Sequence, residues 1–378
     1  MKFVFWGSIS LIFVNYFLYP VIVICWSRMV RKDPAPGSYE PSVTMIVAAY
    51  NEEKVIEEKI LNTLTLDYPK EKLEVIVVSD GSTDGTPGIV SSHAEKGVVS
   101  LHEPERKGKS AALNRAVRHA TGEIIVFSDA NNAYDRNAIR VLARHFDDHR
   151  TRGVSGARKI LPHDRRMSSA GDSLYWKYES AIKNAESILG SITAADGEIT
   201  AIRRELFDPI ESDLINDDAA ITFSVIRKGR RFLYDDEAIS REYASVSLKD
   251  DFFVKVRMVA GGFQTLARFR TELWPPNTAF RIQFLLHKAL RWIVPEILIF
   301  MFVANVSLSG DPLYCATLVG QVLFYAASGF GYFLLKRGRN GLLFYVPMYF
   351  TIMNAAAFVG FVRFLRGRQG VDWRKATR

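Results

Sequence analysis

The stretch Gly122 to Tyr134, GEIIVFSDANNAY, carries the reading of the chain. Ile124 to Phe127 is a short apolar, β-branched run of the kind expected for a strand buried on both faces. It runs into Ser128, Asp129, Ala130 and Asn131. Side chains alternate along a strand, so Asp129 and Asn131 point the same way at its carboxyl end. In an open α/β sheet ligands sit at that edge. Hard oxygen donors there suit a magnesium or manganese ion beside a diphosphate. An isolated D-x-N reads better as a solvated turn, so the neighbouring segments have to decide.

Those segments repeat the pattern. Val43 to Ala49 is an apolar run ending at Tyr50-Asn51-Glu52, and Val55, Ile56, Ile60, Leu61 and Leu64 form one helical face after it. Leu73 to Ser79 is a second buried strand, ending on Asp80 in SDGSTDGT, and Val98 to His102 is a weaker third. Lys109 to Ala120 is helical by its Ala112, Leu113, Ala116, Val117 and Ala120 stripe. Alternating strands and helices with short links imply a mainly parallel sheet. Strand ends then share one edge, which gathers Glu52, Asp80 and Asp129. SDGSTDGT fits neither the dinucleotide fingerprint nor the P-loop. Lys109, opening a helix beside a diphosphate, suits charge neutralisation.

The chain has 378 residues and a net charge of +8. Phe3 to Trp26 carries no charge and is long enough to cross a bilayer. Arg28, Arg31 and Lys32 follow it, which puts the next segment in the cytoplasm. Apolar runs return at Ile293 to Leu308, Leu313 to Leu335 and Leu342 to Phe361. Seventeen of the Lys and Arg residues flank or join these runs, so the positive charge reads as contact with lipid headgroups, not nucleic acid. Cys25 and Cys315 lie in expected spans and offer no disulfide framework. The sequence is silent on oligomeric state.

Seven segments in order resemble the inverting family-two glycosyltransferases, in the membrane-embedded branch of hyaluronan, chitin-oligosaccharide and poly-N-acetylglucosamine synthases. They are AAYNEE (48–53), VVSDGSTDGT (77–86), RKGKSAALN (106–114), FSDAN (127–131), GEITAIRRELF (197–207), NDDAAITFSVIRKGRR (216–231) and KVRMVAGGFQ (255–264). The resemblance implies a Rossmann-like GT-A catalytic domain over 43–270, behind a transmembrane anchor (1–27) and a linker (28–42). An interfacial helix region (271–291), C-terminal membrane segments (292–362) and a basic cytoplasmic tail (363–378) follow. It implies nucleotide-sugar contacts at Ala49, Tyr50, Glu52, Asp80, Lys109 and Asp129. The metal, Mg2+ or Mn2+, would rest on Asp129 and Asn131, where an amide stands in place of the usual carboxylate. Asn132 or a water would complete the shell.

The catalytic base position falls on Asp218, with Asp217 in support; by composition alone two acids opening a helix make a good cap. Processive relatives carry Q-x-x-R-W where this chain has Val254, Lys255, Val256, Arg257 and Met258, so only Arg257 remains, as a partner for the leaving diphosphate. Trp373 to Arg378, WRKATR, resembles a gating loop that would reach the donor. The implied reaction moves a sugar from a UDP-sugar (UDP-N-acetylglucosamine or UDP-hexose) to a saccharide or lipid-linked acceptor at the cytoplasmic membrane face. Transfer to polyprenyl phosphate and a non-enzymatic scaffold or transport role are the alternatives. A crossing by the last apolar run would put the basic tail outside, against the charge rule, so an in-plane or re-entrant segment is expected.

Overall fold

The computed structural model describes residues 1–30, 37–161, 168–243, 248–270, 278–339, 341–368 and 370. Four strands build the part of the sheet expected from sequence: β1 (Val43–Ala49), β2 (Leu73–Asp80), β3 (Val98–Glu103) and β4 (Ile124–Asp129). They pair in parallel in the order β3-β2-β1-β4. Every residue of β1 is buried. Met45 and Val47 face one core with Ile56, Ile60 and Leu142. Ile46 and Ala48 face the other with Ala112, Leu113 and Ala116. Burial of both faces explains the unbroken apolar runs. The register sets Ala48 beside Asp129 and Ala49 beside Ser79, so the strands end together.

Beyond β4 the sheet departs from simple alternation. β7 (Thr200–Arg203) pairs antiparallel with β4 and with β6 (Thr151–Leu161). β8 (Arg231–Tyr243) runs parallel to β6, and β5 (Ala133–Tyr134) closes the edge antiparallel to β8. The sheet stays mostly parallel, by four of its seven pairings.

Among the described residues three helices are long and apolar enough to cross a membrane: Lys2–Met29, Pro312–Lys336 and Leu343–Leu365. The second half of the first packs on the Ser168–Leu189 helix through Tyr19 and Val23 against Ile182 and Ala185. The expected span at Ile293–Leu308 needs correction. Its helix, Val294–Ser307, has 14 residues, too short to cross alone. It reaches the required length only with Ala279–Trp292, from which it bends by 61°.

The last apolar run, expected to be in-plane or re-entrant, is one continuous helix, Leu342–Leu365. Its first half meets the preceding helix, with the Phe344 ring 4.9 Å from Phe330. Its second half lies on the Leu248–Arg268 helix, where Phe361 and Phe364 sit 4.8 and 5.7 Å from Phe263. Arg363, in the last turn of this helix, therefore lies at the end that rests on the Leu248–Arg268 helix.

Glycine is costly inside a helix unless a neighbour needs the space. At Gly261 a Cβ would lie 2.4 Å from Asn216 Oδ1, and at Gly262 one would lie 2.6 Å from the Trp292 ring. Gly261 lets the Leu248–Arg268 helix approach the start of the Asp217–Ile226 helix, and Gly262 lets it approach Trp292. Gly261→Ala is expected to destabilise the protein by about 1–3 kcal/mol through overpacking. Gly88→Ala, with nothing within 4 Å, should be neutral or stabilising. Thermal unfolding of both variants in detergent checks the contrast.

Candidate active site

The loops after β1 and β2 are laced together. Asn51 adopts a positive φ of 51°, a conformation in which Asn is enriched. Its side-chain oxygen accepts from the Thr83 N–H at 2.8 Å, and its own N–H donates to Ser82 Oγ at 3.0 Å. The Glu52 N–H donates to Thr86 Oγ1 at 2.8 Å. These bonds fix Glu52 at the rim of a cavity of about 640 Å³.

Asp80 is tied to the backbone of the loop that follows β3. It is 4% exposed, and Oδ2 accepts the backbone N–H groups of Lys107 and Gly108 at 3.0 and 2.7 Å. Its carboxylate thus anchors the loop that delivers Lys109. Arg106 of the same loop lies 3.9 Å over the Tyr50 ring. Glu52, Lys109, Asp129, Asn131, Asp217, Asp218 and Arg257 line the cavity, and Ala49, Tyr50 and Asp80 are not among its lining residues. Trp373 and Arg378 lie outside the described residues.

Lys109 Nζ bridges two carboxylates, 2.9 Å from Asp129 Oδ1 and 3.2 Å from Asp217 Oδ2. Burial opposes the lysine's charge, but the two acids outweigh it and raise its pKa. Burial likewise pushes Asp129 up, yet Lys109, then Arg158 and Lys59, hold it below the usual carboxylate range. Asp218 behaves oppositely. Burial first and Asp217 second push its pKa up to about 6. Its Oδ1 accepts the Ala219 N–H at 2.8 Å. Asn216, just before the helix, donates to the Met258 carbonyl at 3.1 Å, which ties the two acids to the helix bearing Arg257.

Asn131 lines the cavity, but Asn132 turns inward. Its amide oxygen accepts from Lys59 Nζ at 2.6 Å and Ser128 Oγ at 3.0 Å, so it is engaged away from any ion at Asn131. Among the described residues no three His, Cys, Asp or Glu side chains form a metal-ligand cluster. One carboxylate and one amide fit an ion whose remaining ligands come from a diphosphate and water.

Several residues in or near the walls were not foreseen. Lys59 is fully buried behind the D-x-N turn, 4.3 Å over the Tyr134 ring, and burial pulls its pKa down to about 7. Its place within the Ile56–Ile60 apolar stripe was the available signal. Glu198, inside GEITAIRRELF, is raised by burial and receives the Ser240 hydroxyl at 2.8 Å. Lys183 and Asp196 pair at 2.7 Å, and Arg291 reaches Glu179 at 2.8 Å. Nothing in their local spacing points to one wall, because they come from separate elements.

The family model described as "Glycosyl transferase family 2" matches residues 44–210. The chain carries a glycosyltransferase family 2 domain. The domain's curated relatives include the poly-beta-1,6-N-acetyl-D-glucosamine synthase of Staphylococcus aureus, 25% identical over 231 residues. That match covers 60% of this chain and 56% of the relative, so the chain spans little more than half of the relative's length. The Staphylococcus epidermidis enzyme of the same name is 23% identical over 238 residues, 62% of this chain and 57% of its own. A solved mannosyltransferase from Pyrobaculum calidifontis, in complex with GDP-Man and Mn2+, superposes with a TM-score of 0.74 at 26% identity. It covers 96% of this chain and is itself covered over 98%. The fold is therefore GT-A, with helices of membrane-spanning potential at both ends.

Lys109 holds this domain's acids together, and its loss should be measurable without substrate. Lys109→Met is expected to destabilise the protein at neutral pH by about 3–5 kcal/mol, the scale for breaking a buried pair. Asp129 has a depressed folded pKa, so its contribution exists above the unfolded value near 4 and fades below it. The gap between wild type and variant should accordingly shrink as pH falls through about 4. Denaturation at pH 7 and at about pH 2.5 tests this.

Proposed function

We propose that the protein is an inverting glycosyltransferase that moves a sugar from a nucleoside-diphosphate donor to a hydroxyl of a saccharide or lipid-linked saccharide. One observation carries the reading: a single cavity holds Asp129, kept ionised by Lys109, and Asp218, raised to about 6. Carboxylates driven apart in pKa are the mark of divided roles. Asp218 accepts the proton of the acceptor hydroxyl while that oxygen attacks the anomeric carbon. The bond from that carbon to the diphosphate oxygen breaks, and its electron pair leaves with the nucleoside diphosphate. A single displacement from the opposite face inverts the configuration. Lys109 and Arg257 stabilise the departing negative charge.

A divalent ion, Mg2+ or Mn2+, would rest on Asp129 and Asn131 and supply counter-charge for the donor's diphosphate. Manganese bound to the Pyrobaculum calidifontis structure supports this use of a metal. Relation to the poly-N-acetylglucosamine synthases supports UDP-N-acetylglucosamine or another UDP-hexose as donor. A GDP-hexose is the second reading, favoured by the GDP-Man in the mannosyltransferase that matches nearly the whole chain. Met258 stands where processive relatives place tryptophan, which favours addition of one or a few sugars. Arg28 in the last turn of the first span supports a cytoplasmic position for the domain.

Asp218→Asn should lower kcat by at least about a hundredfold, the scale of a general base, with little change in donor binding. In wild type, activity should rise through pH 6 as Asp218 ionises. Asp217→Asn should move that limb to lower pH, since Asp217 is the second cause of the shift. Full turnover by Asp218→Asn would remove the base assignment. For the metal, excess EDTA should abolish transfer, and Asn131→Asp should lower the Mn2+ concentration for half-maximal rate. Undiminished activity in EDTA would assign charge neutralisation to Lys109 and Arg257 alone.

A further inference from the structure

One wall of the cavity is built by the Ser168–Leu189, Leu248–Arg268 and Ala279–Trp292 helices, and it is cationic. Lys183, Lys255, Lys288 and Arg291 line it, and among the described residues the carboxylates paired with these cations are Glu179 and Asp196. Glu179 takes Lys288 and, at 2.8 Å, Arg291, and it also lies 3.0 Å from His287. Asp196 takes Lys183. Among the described residues no carboxylate is paired with Lys255. Burial, then Arg291 and Lys288, pull the Lys255 pKa down to about 8. Concentrated positive charge without matching acids is stable when an anion completes it.

The same wall meets the apolar side of the molecule. Phe284, Trp292 and Ala357 line the cavity next to these cations. On the same helices Phe253, Ile282 and Leu285 are 37%, 50% and 42% exposed. A ligand that fits has an anionic group joined to a hydrocarbon.

We propose that Lys255, Lys288 and Arg291 form an anion subsite for the acceptor, a saccharide joined through phosphate or diphosphate to a lipid. The proposal rests on the transferase reading above and specifies its acceptor. The phosphate is a handle and not a reactant. The new bond joins the saccharide's hydroxyl oxygen to the donor's anomeric carbon, the proton goes to Asp218, and the acceptor's phosphate ester stays intact. A phosphate nucleophile would arrive already deprotonated and would have no use for a base at Asp218.

The test uses the purified full chain and two acceptors, one saccharide carried on decyl diphosphate and the same saccharide as an uncharged decyl glycoside. Wild type should show a KM at least about tenfold lower for the charged acceptor, the scale of one charge-assisted contact. Lys255→Gln should bring the two KM values to within about twofold of each other, and Lys255→Arg should restore the preference. Decyl diphosphate should compete with the charged acceptor better than inorganic pyrophosphate does. Equal KM values in wild type overturn the subsite, as does equal competition by pyrophosphate, which would assign it to a soluble anion. A rise in donor KM matching that of the acceptor in Lys255→Gln assigns the cations to the donor's diphosphate. Sugar transfer onto decyl phosphate lacking a saccharide makes phosphate the nucleophile, and likewise overturns it. Nucleoside diphosphate release in the presence of either acceptor reports the transferase reading separately: release with equal acceptor KM values sinks the subsite alone, and its absence with both acceptors sinks both.

Discussion

The ammonium of Lys109 lies between Asp129 and Asp217, and the arrangement of the cavity depends on that contact. Asp129 ends a strand, Asp217 opens a helix nearly ninety residues later, and without the cation their charges would repel at close range. The lysine also divides the acids into two kinds. Asp129 and Asp217 share its charge, whereas Asp218 senses Lys109 only weakly and is governed by burial and Asp217. Adjacent carboxylates on one helical turn thus acquire different chemistry.

That contact is delivered by backbone geometry more than by side chains. Asp80 holds the 107–108 amides, and Gly81 accepts the loop because any Cβ would lie 2.5 Å from the Arg106 Cβ. On the other side, Gly261 leaves room for Asn216, which fixes where Asp217 and Asp218 begin their helix. The cavity is therefore set by two close backbone approaches. Small changes at either would move the acids relative to Lys109 while leaving the sheet unchanged.

The remaining wall joins the sheet domain to the apolar helices. His287 lies fully buried between Glu179 and Glu186, at 3.0 and 2.8 Å, and the Tyr19 hydroxyl donates to Glu186 at 2.5 Å. Through this network the first helix, the Ser168–Leu189 helix and the 278–292 segment are held as one unit. Burying so many charges is costly unless each is paired, and the pairs found here connect elements far apart in sequence. The apolar helices thus contribute directly to the cavity's shape and charge.

The sequence by itself determined the parallel half of the sheet, and for a physical reason. Strands buried on both faces must be continuously apolar, so β1, β2 and β4 announce themselves, and their ends carry Glu52, Asp80 and Asp129 to one edge. The paired acids at 217 and 218 were legible as the start of a helix. Only the tertiary structure decided which of these residues face the cavity. Asp80 turned out to anchor a loop, Asn132 turned inward to Lys59, and Arg257 was joined by Lys255, Lys288 and Arg291. Hydrophobic periodicity records which face of an element is buried, but ion pairs across elements leave no such period. Nor could hydropathy separate the short Val294–Ser307 helix from a full span, since the 61° bend before it lies in backbone geometry.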